Sequence, residues 1–133
     1  MGGGEESRCD ARILFTCSGC CAEGELSDKI GRQLRKKGYA RCGSSCLAGI
    51  CAGYPKFINV AKEVSEVVAI DGCGMACAAR TLEKAGIAPR SYVLTAMGLN
   101  ECCDQQEFVG NVCQHIMGNI EIINVRITKG EEG

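Results

Sequence analysis

Short apolar runs alternate with helical stripes along this chain. Residues 11–16 form a run that suits a buried strand. Leu26, Ile30 and Leu34 then recur every fourth residue, as on one face of a helix. Arg35, Lys36 and Lys37 in its last turn favour the negative end of the dipole, and Gly38 suits the C′ position. A short strand is expected at 39–41, then a loop at 42–55 rich in Gly, Ser and Cys. Phe57, Val60, Ala61 and Val64 predict a second helix. Residues 66–71 read as a β-branched strand ending in Asp71-Gly72, and Cys73 to Ala85 as a helix stopped by Gly86. A strand at 92–94 follows. Phe108, Val109, Val112, Cys113, Ile116 and Met117 trace a helical stripe, and 120–127 a fifth strand.

This alternation predicts a three-layer α/β fold, Rossmann-like or flavodoxin-like, with a mainly parallel sheet and helices on both faces. A single domain over 10–128 is expected, with a polar arm at 1–9 and a tail at 129–133. In such sheets ligands bind beyond the carboxyl ends of the strands. The loops after the first three strands carry Cys17, Cys46 and Cys73. In strand order 2-1-3 those loops are neighbours.

Composition adds one large fact: twelve cysteines in 133 residues. The formal charge is −1, from 15 basic and 16 acidic residues, with no basic block interleaved with aromatics. That argues against nucleic acid as a partner. No apolar run approaches the ~18 residues of a membrane span. The polar, acidic start, Met1 to Ser7, does not resemble a signal peptide, so a cytoplasmic protein with reduced thiols is expected. The cysteines then point to a soft metal, an iron–sulfur cluster or redox chemistry rather than a disulfide framework.

In Asp71-Gly72-Cys73-Gly74-Met75-Ala76-Cys77, a helix starting near Cys73 would put both sulfurs on one face, one turn apart, as two ligands to one metal. Packing is the alternative for Cys77, on an Ala-rich face. Cys17-Ser18-Gly19-Cys20-Cys21 offers a Cys-x-x-Cys pair, a redox dithiol or half a zinc site. Small tyrosine phosphatases place Arg six residues after a cysteine in such a loop. Here that position is Glu23, which would repel an oxyanion. Cys42, Cys46 and Cys51 share the Gly/Ser-rich loop. Adjacent Cys102 and Cys103 diverge on a helix and do not chelate together. Cys113 falls in the apolar stripe and reads as core. His115, the single histidine, reads as a surface residue. Glu23, Glu25 and Asp28 read as charges favoured by a helix start.

Three segments in this order resemble the DGC-domain family of zinc-binding proteins: Thr16-Cys17-Ser18-Gly19, Cys46-Leu47-Ala48-Gly49-Ile50, and Val68 to Cys73 followed by Cys77-Ala78. The family's name comes from the triplet at 71–73, and the resemblance spans about residues 10–100. It implies Cys17, Cys46, Cys73 and Cys77 as the metal-binding set, with Cys20 and Cys51 as possible extra ligands. The expected function is that of a small cytoplasmic protein holding Zn²⁺ in a tetrathiolate site, without an assigned reaction. The thiols beyond four support a different expectation: an iron–sulfur or thiol-relay protein in sulfur, selenium or metal transfer.

Overall fold

The computed structural model describes residues 11–98 and 105–118. The expected arm, the Cys102-Cys103 pair, the fifth strand and the tail lie outside the described residues.

Among the described residues, three strands form a parallel sheet: β1 (Arg12–Thr16), β2 (Glu66–Asp71) and β3 (Arg90–Val93), with β2 in the middle. Arg12 faces Glu66 and Thr16 faces Ile70, while Val68 faces Arg90 and Asp71 faces Val93. Parallel strands need covering on both faces, and β1 and β2 are nearly continuous apolar runs. The helices are α1 (Ala22–Lys36), α2 (Leu47–Ala52), α3 (Pro55–Glu63), α4 (Cys77–Lys84) and α5 (Gln105–Ile116), with a 3₁₀ turn at Leu94–Met97.

The side-chain alternation of the strands splits the core in two. Leu14, Val68 and Ile70 point to one face and meet Leu26, Ile30 and Leu34 of α1 and Phe108, Val109 and Val112 of α5. Ile13, Phe15, Val67 and Ala69 point to the other, against Ile50, Ala61, Ala78 and Leu82. Each buried Leu, Ile or Phe side chain contributes roughly 1.5–3 kcal/mol. The surface pair Arg12–Glu66 (2.6 Å) contributes at most about 1 kcal/mol, so the aliphatic sandwich decides the fold. The three-layer α/β expectation holds.

Three local expectations are corrected. Residues 39–41 form no strand. Arg41 N–H bonds to the Arg12 carbonyl (2.9 Å) and Arg12 Nη1 to the Tyr39 carbonyl (2.8 Å), so this segment runs along the edge of β1 without the ladder of a strand. The loop at 42–55 contains α2 and the start of α3. Helix α4 starts at Cys77, not near Cys73: a turn closed by Ala76 N–H to the Cys73 carbonyl (3.0 Å) comes first. The reason is Asp71. Its buried carboxylate reaches forward to accept from the amides of Ala78 (2.7 Å) and Ala79 (3.1 Å), which sets where the helix begins.

Candidate functional site

Beyond the carboxyl ends of β1 and β2, the β2–α4 loop presses backbone to backbone against the first turn of α1. A Cβ on Gly72 would lie 2.6 Å from the main-chain carbon and oxygen of Glu23 at the start of α1. No side chain fits there. Glycine at the centre of the Asp-Gly-Cys triplet is what lets the β2–α4 loop touch the first turn of α1, and so reach Cys17 just ahead of it.

That contact fixes the sulfur of Cys17. Its main-chain N–H donates to the Ile70 carbonyl (3.2 Å), extending the β1–β2 ladder by one residue. Its Sγ accepts the Gly72 N–H at 3.4 Å and lies 3.4 Å from Ser27 Oγ. Ser27 is fully buried on α1. Its hydroxyl donates to the Gly24 carbonyl (2.7 Å) and accepts from Ser18 N–H (3.3 Å). With that one proton committed, it is the Cys17 thiol that donates to Ser27. A deprotonated Cys17 keeps the Gly72 amide and gains a second donor only if the Ser27 hydroxyl turns away from Gly24.

Apart from Cys113, the other described cysteines lie in the segments that follow β1 and β2 and in residues 42–51, and together with Cys17 they are termed the thiol rim. Cys73 directly follows Gly72 and is half-buried, and Cys77 opens α4 and is exposed. Cys46 is the exposed N-cap residue of α2, its Sγ accepting from Gly49 N–H at 3.4 Å. Cys20, Cys21, Cys42 and Cys51 are exposed. All nine described cysteines are free thiols. Cys113 is the exception in burial. It lies fully inside the α1–α5 core, where burial pushes its thiol up to about 11. His115 is half-buried with its ring edge-on to Tyr92, 6.4 Å between centroids.

Backbone strain falls at the same places. Among the described residues, the non-glycine residues with positive φ are Ser18 (46°), Ser44 (64°) and Ala76 (49°). Each lies within two positions of Cys17, Cys46 or Cys77. A conformation that costs of order 1–3 kcal/mol per residue persists where surrounding structure imposes it, and such outliers collect at binding sites.

Four free thiols, once ionised, would match the softness and tetrahedral demand of Zn²⁺. Yet among the described residues no three Cys, His, Asp or Glu side chains are already gathered to hold an ion. A metal held by three or more of these thiols would require them to come closer together than they stand. The helix-start pair expected from Cys73 and Cys77 is not one turn of one helix, because Cys73 belongs to the turn.

Sequence reasoning missed two features. Asp71 was read as the end of a strand, and its capping role had one signal, a carboxylate ahead of an Ala-rich helix. In the sequence, Arg35 and Lys36 carry only the helix-dipole reading, and nothing singles out Arg32. In the fold they line a cleft of about 730 Å³ with Cys17, Asp28 and Cys51.

The DGC domain model matches residues 13–120, most of the chain and all three thiol loops. The anaerobic and virulence modulator AnvM of Pseudomonas aeruginosa is 26% identical over 100 residues, covering 71% of this chain and 75% of that protein. No solved structure matches. With the Asp71-Gly72-Cys73 triplet at the contact between the two loops and the match running across the whole sheet, the chain belongs to the DGC-domain family.

Proposed function

We propose that the thiol rim is a metal site, with Cys17, Cys46, Cys73 and Cys77 holding Zn²⁺ and Cys20 and Cys51 outside the ligand set. The observation that carries this reading is the coincidence of strained backbone with the cysteine loops at Ser18, Ser44 and Ala76. Strain of this kind serves to aim side chains that packing alone would leave undirected. Zinc would be held by the four sulfurs and would cross-link the loops after β1 and β2 to α2. Four thiolates carry more negative charge than Zn²⁺ neutralises, and the Gly72 and Gly49 amides already donate to two of the sulfurs. Thiols must ionise to bind, so affinity falls at low pH and binding releases protons. This chemistry needs reduced thiols, which is the reason to place the protein in the cytoplasm. Among the described residues no helix is long and apolar enough to cross a membrane.

A second reading is a thiol relay or an iron–sulfur protein in sulfur, selenium or metal transfer. It is favoured by one fact: Cys42 and Cys51, outside the proposed ligand set, line the same cleft as Cys17. A relative named for anaerobic modulation is consistent with either version of an exposed thiol site.

Anaerobic purification followed by metal analysis and absorption spectroscopy separates the two. A colourless protein with one zinc, lost on Cys73→Ser and retained on Cys20→Ser, supports the zinc site. A visible charge-transfer band that disappears on Cys73→Ser keeps the site and replaces zinc with a cluster. A protein that takes up neither zinc nor iron contradicts both metal readings.

A further inference from the structure

The cleft of about 730 Å³ beside the thiol rim falls in the size range of small-molecule sites, roughly 300–1,000 Å³. Its charge is one-sided. Three cations, Arg32, Arg35 and Lys36, line it against a single carboxylate, Asp28. Asp28 is already engaged: it accepts from Arg32 Nε at 2.7 Å and from the Ser18 hydroxyl at 3.3 Å. Arg35 is tied down at one corner only. Its Nη2 donates to the Leu14 carbonyl (3.0 Å), while Nε is buried and has no acceptor among the described residues. Lys36 makes no ion pair among the described residues. With Asp28 set against Arg32, the cleft keeps a surplus of two positive charges. The helix dipole accounts for cations in the last turn of α1, but not for their lining one concavity together with Cys17 and Ser18.

We propose that this cleft binds a small anionic molecule, its carboxylate or phosphate oxygens held by Arg32, Arg35 and Lys36, beside the thiols of Cys17 and Cys51. Guanidinium groups present paired donors that match planar carboxylates and phosphates, and Lys36 adds a point charge at the mouth. The ligand is an organic anion rather than a bare ion, because the cleft is far larger than one oxyanion. The inference goes beyond the metal reading and stands without it. Together they describe a site that receives an anion next to a thiolate-bound metal.

The experiment is calorimetric titration of the full chain, zinc-loaded and metal-free, with two probes. S-methylglutathione carries carboxylates and no thiol, so it cannot bind through a metal-coordinating sulfur. Inorganic phosphate is compact. Arg32→Gln/Lys36→Gln removes the surplus charge, and both side chains are exposed, so the fold tolerates the change. Saturable binding of S-methylglutathione, weakened about tenfold or more by the double variant, is expected from two lost charge-assisted contacts. Asp28→Asn should tighten binding, since it removes the one opposing charge. Phosphate binding with the same dependence, and no response to S-methylglutathione, keeps the anion site but overturns the organic ligand. Binding of neither probe, or binding unchanged in the double variant, overturns the proposal. Zinc stoichiometry measured on the same samples should not change in the double variant. Its loss in the wild type, with anion binding intact, would count against the metal reading alone.

Discussion

Cys113 sits in the last turn of α5, fully buried, its sulfur 3.8 Å from the Ile30 carbonyl. Cys17 sits at the end of β1, half-buried, between the Gly72 amide and the Ser27 hydroxyl. The same side chain is packing material in one place and a positioned polar group in the other. What differs is the backbone around each. The regular helix at Cys113 spends its amides on its own carbonyls, and burial outweighs the nearby Lys37 charge in setting the thiol. At Cys17 the strand has ended, Ser18 is left-handed, and a glycine from the next loop comes close enough to offer its N–H. The cysteine count therefore says little about function; the loops after the strands say more.

The most damaging way to break this contrast is to separate the two loops. Gly72→Ala puts a methyl group against the Glu23 main chain, which cannot swing aside as a side chain would. Overpacking against backbone should cost about 3 kcal/mol, measured by urea denaturation, with loss of the Cys17 environment. A cost under about 0.5 kcal/mol, the range of an ordinary surface change, would show that the contact is not tight.

Removing the helix cap comes next. Asp71→Ala deprives two amides of their acceptor and should cost about 2 kcal/mol. Asp71→Asn keeps one acceptor oxygen and should cost less. Burial pushes the Asp71 carboxyl up, and the two amides pull it back without cancelling the rise.

Cys113→Ala should cost about 1 kcal/mol through lost packing and leave metal stoichiometry unchanged. The native protein should also hide this thiol from iodoacetamide at pH 8, well below its value of about 11, while the exposed cysteines react. Early modification of Cys113, read by peptide mass mapping, would erase the distinction drawn here.

The smallest effect belongs to the far side of β1. Burial raises the Glu66 carboxyl, but Arg12 and Arg90 outweigh it and hold the group below its usual value. The folded value is depressed, so this contribution is present above the unfolded value and is lost as pH falls through the folded one. Glu66→Gln should flatten that acid-side loss. Metal binding should stay unchanged, because the pair lies at the opposite end of the strand from Cys17.

Much of the fold was legible because its signals are local. β1 and β2 are short apolar runs, and Leu26, Ile30 and Leu34 mark one face of α1. Six residues are too few for a helical period, so α2 was hidden in a loop rich in small residues. The start of α4 was hidden because a side chain seven positions ahead sets it. At the site, the chain order of Cys17, Cys46, Cys73 and Cys77 was visible. The cation-lined cleft was not. Arg32, Arg35 and Lys36 acquire their meaning only when the 42–51 segment folds across from them, a distant contact that no spacing along α1 encodes.

The central claim is that the rim thiols, and not the buried one, hold a metal. It is tested most directly by zinc stoichiometry of anaerobically purified protein, compared across Cys17→Ser, Cys46→Ser, Cys73→Ser, Cys77→Ser, Cys20→Ser, Cys51→Ser and Cys113→Ala. The account predicts that each of the first four sharply lowers zinc affinity and that the last three retain it. Retention of zinc in Cys46→Ser with loss in Cys20→Ser or Cys51→Ser would contradict the ligand set, and loss in Cys113→Ala with the fold intact would contradict the site.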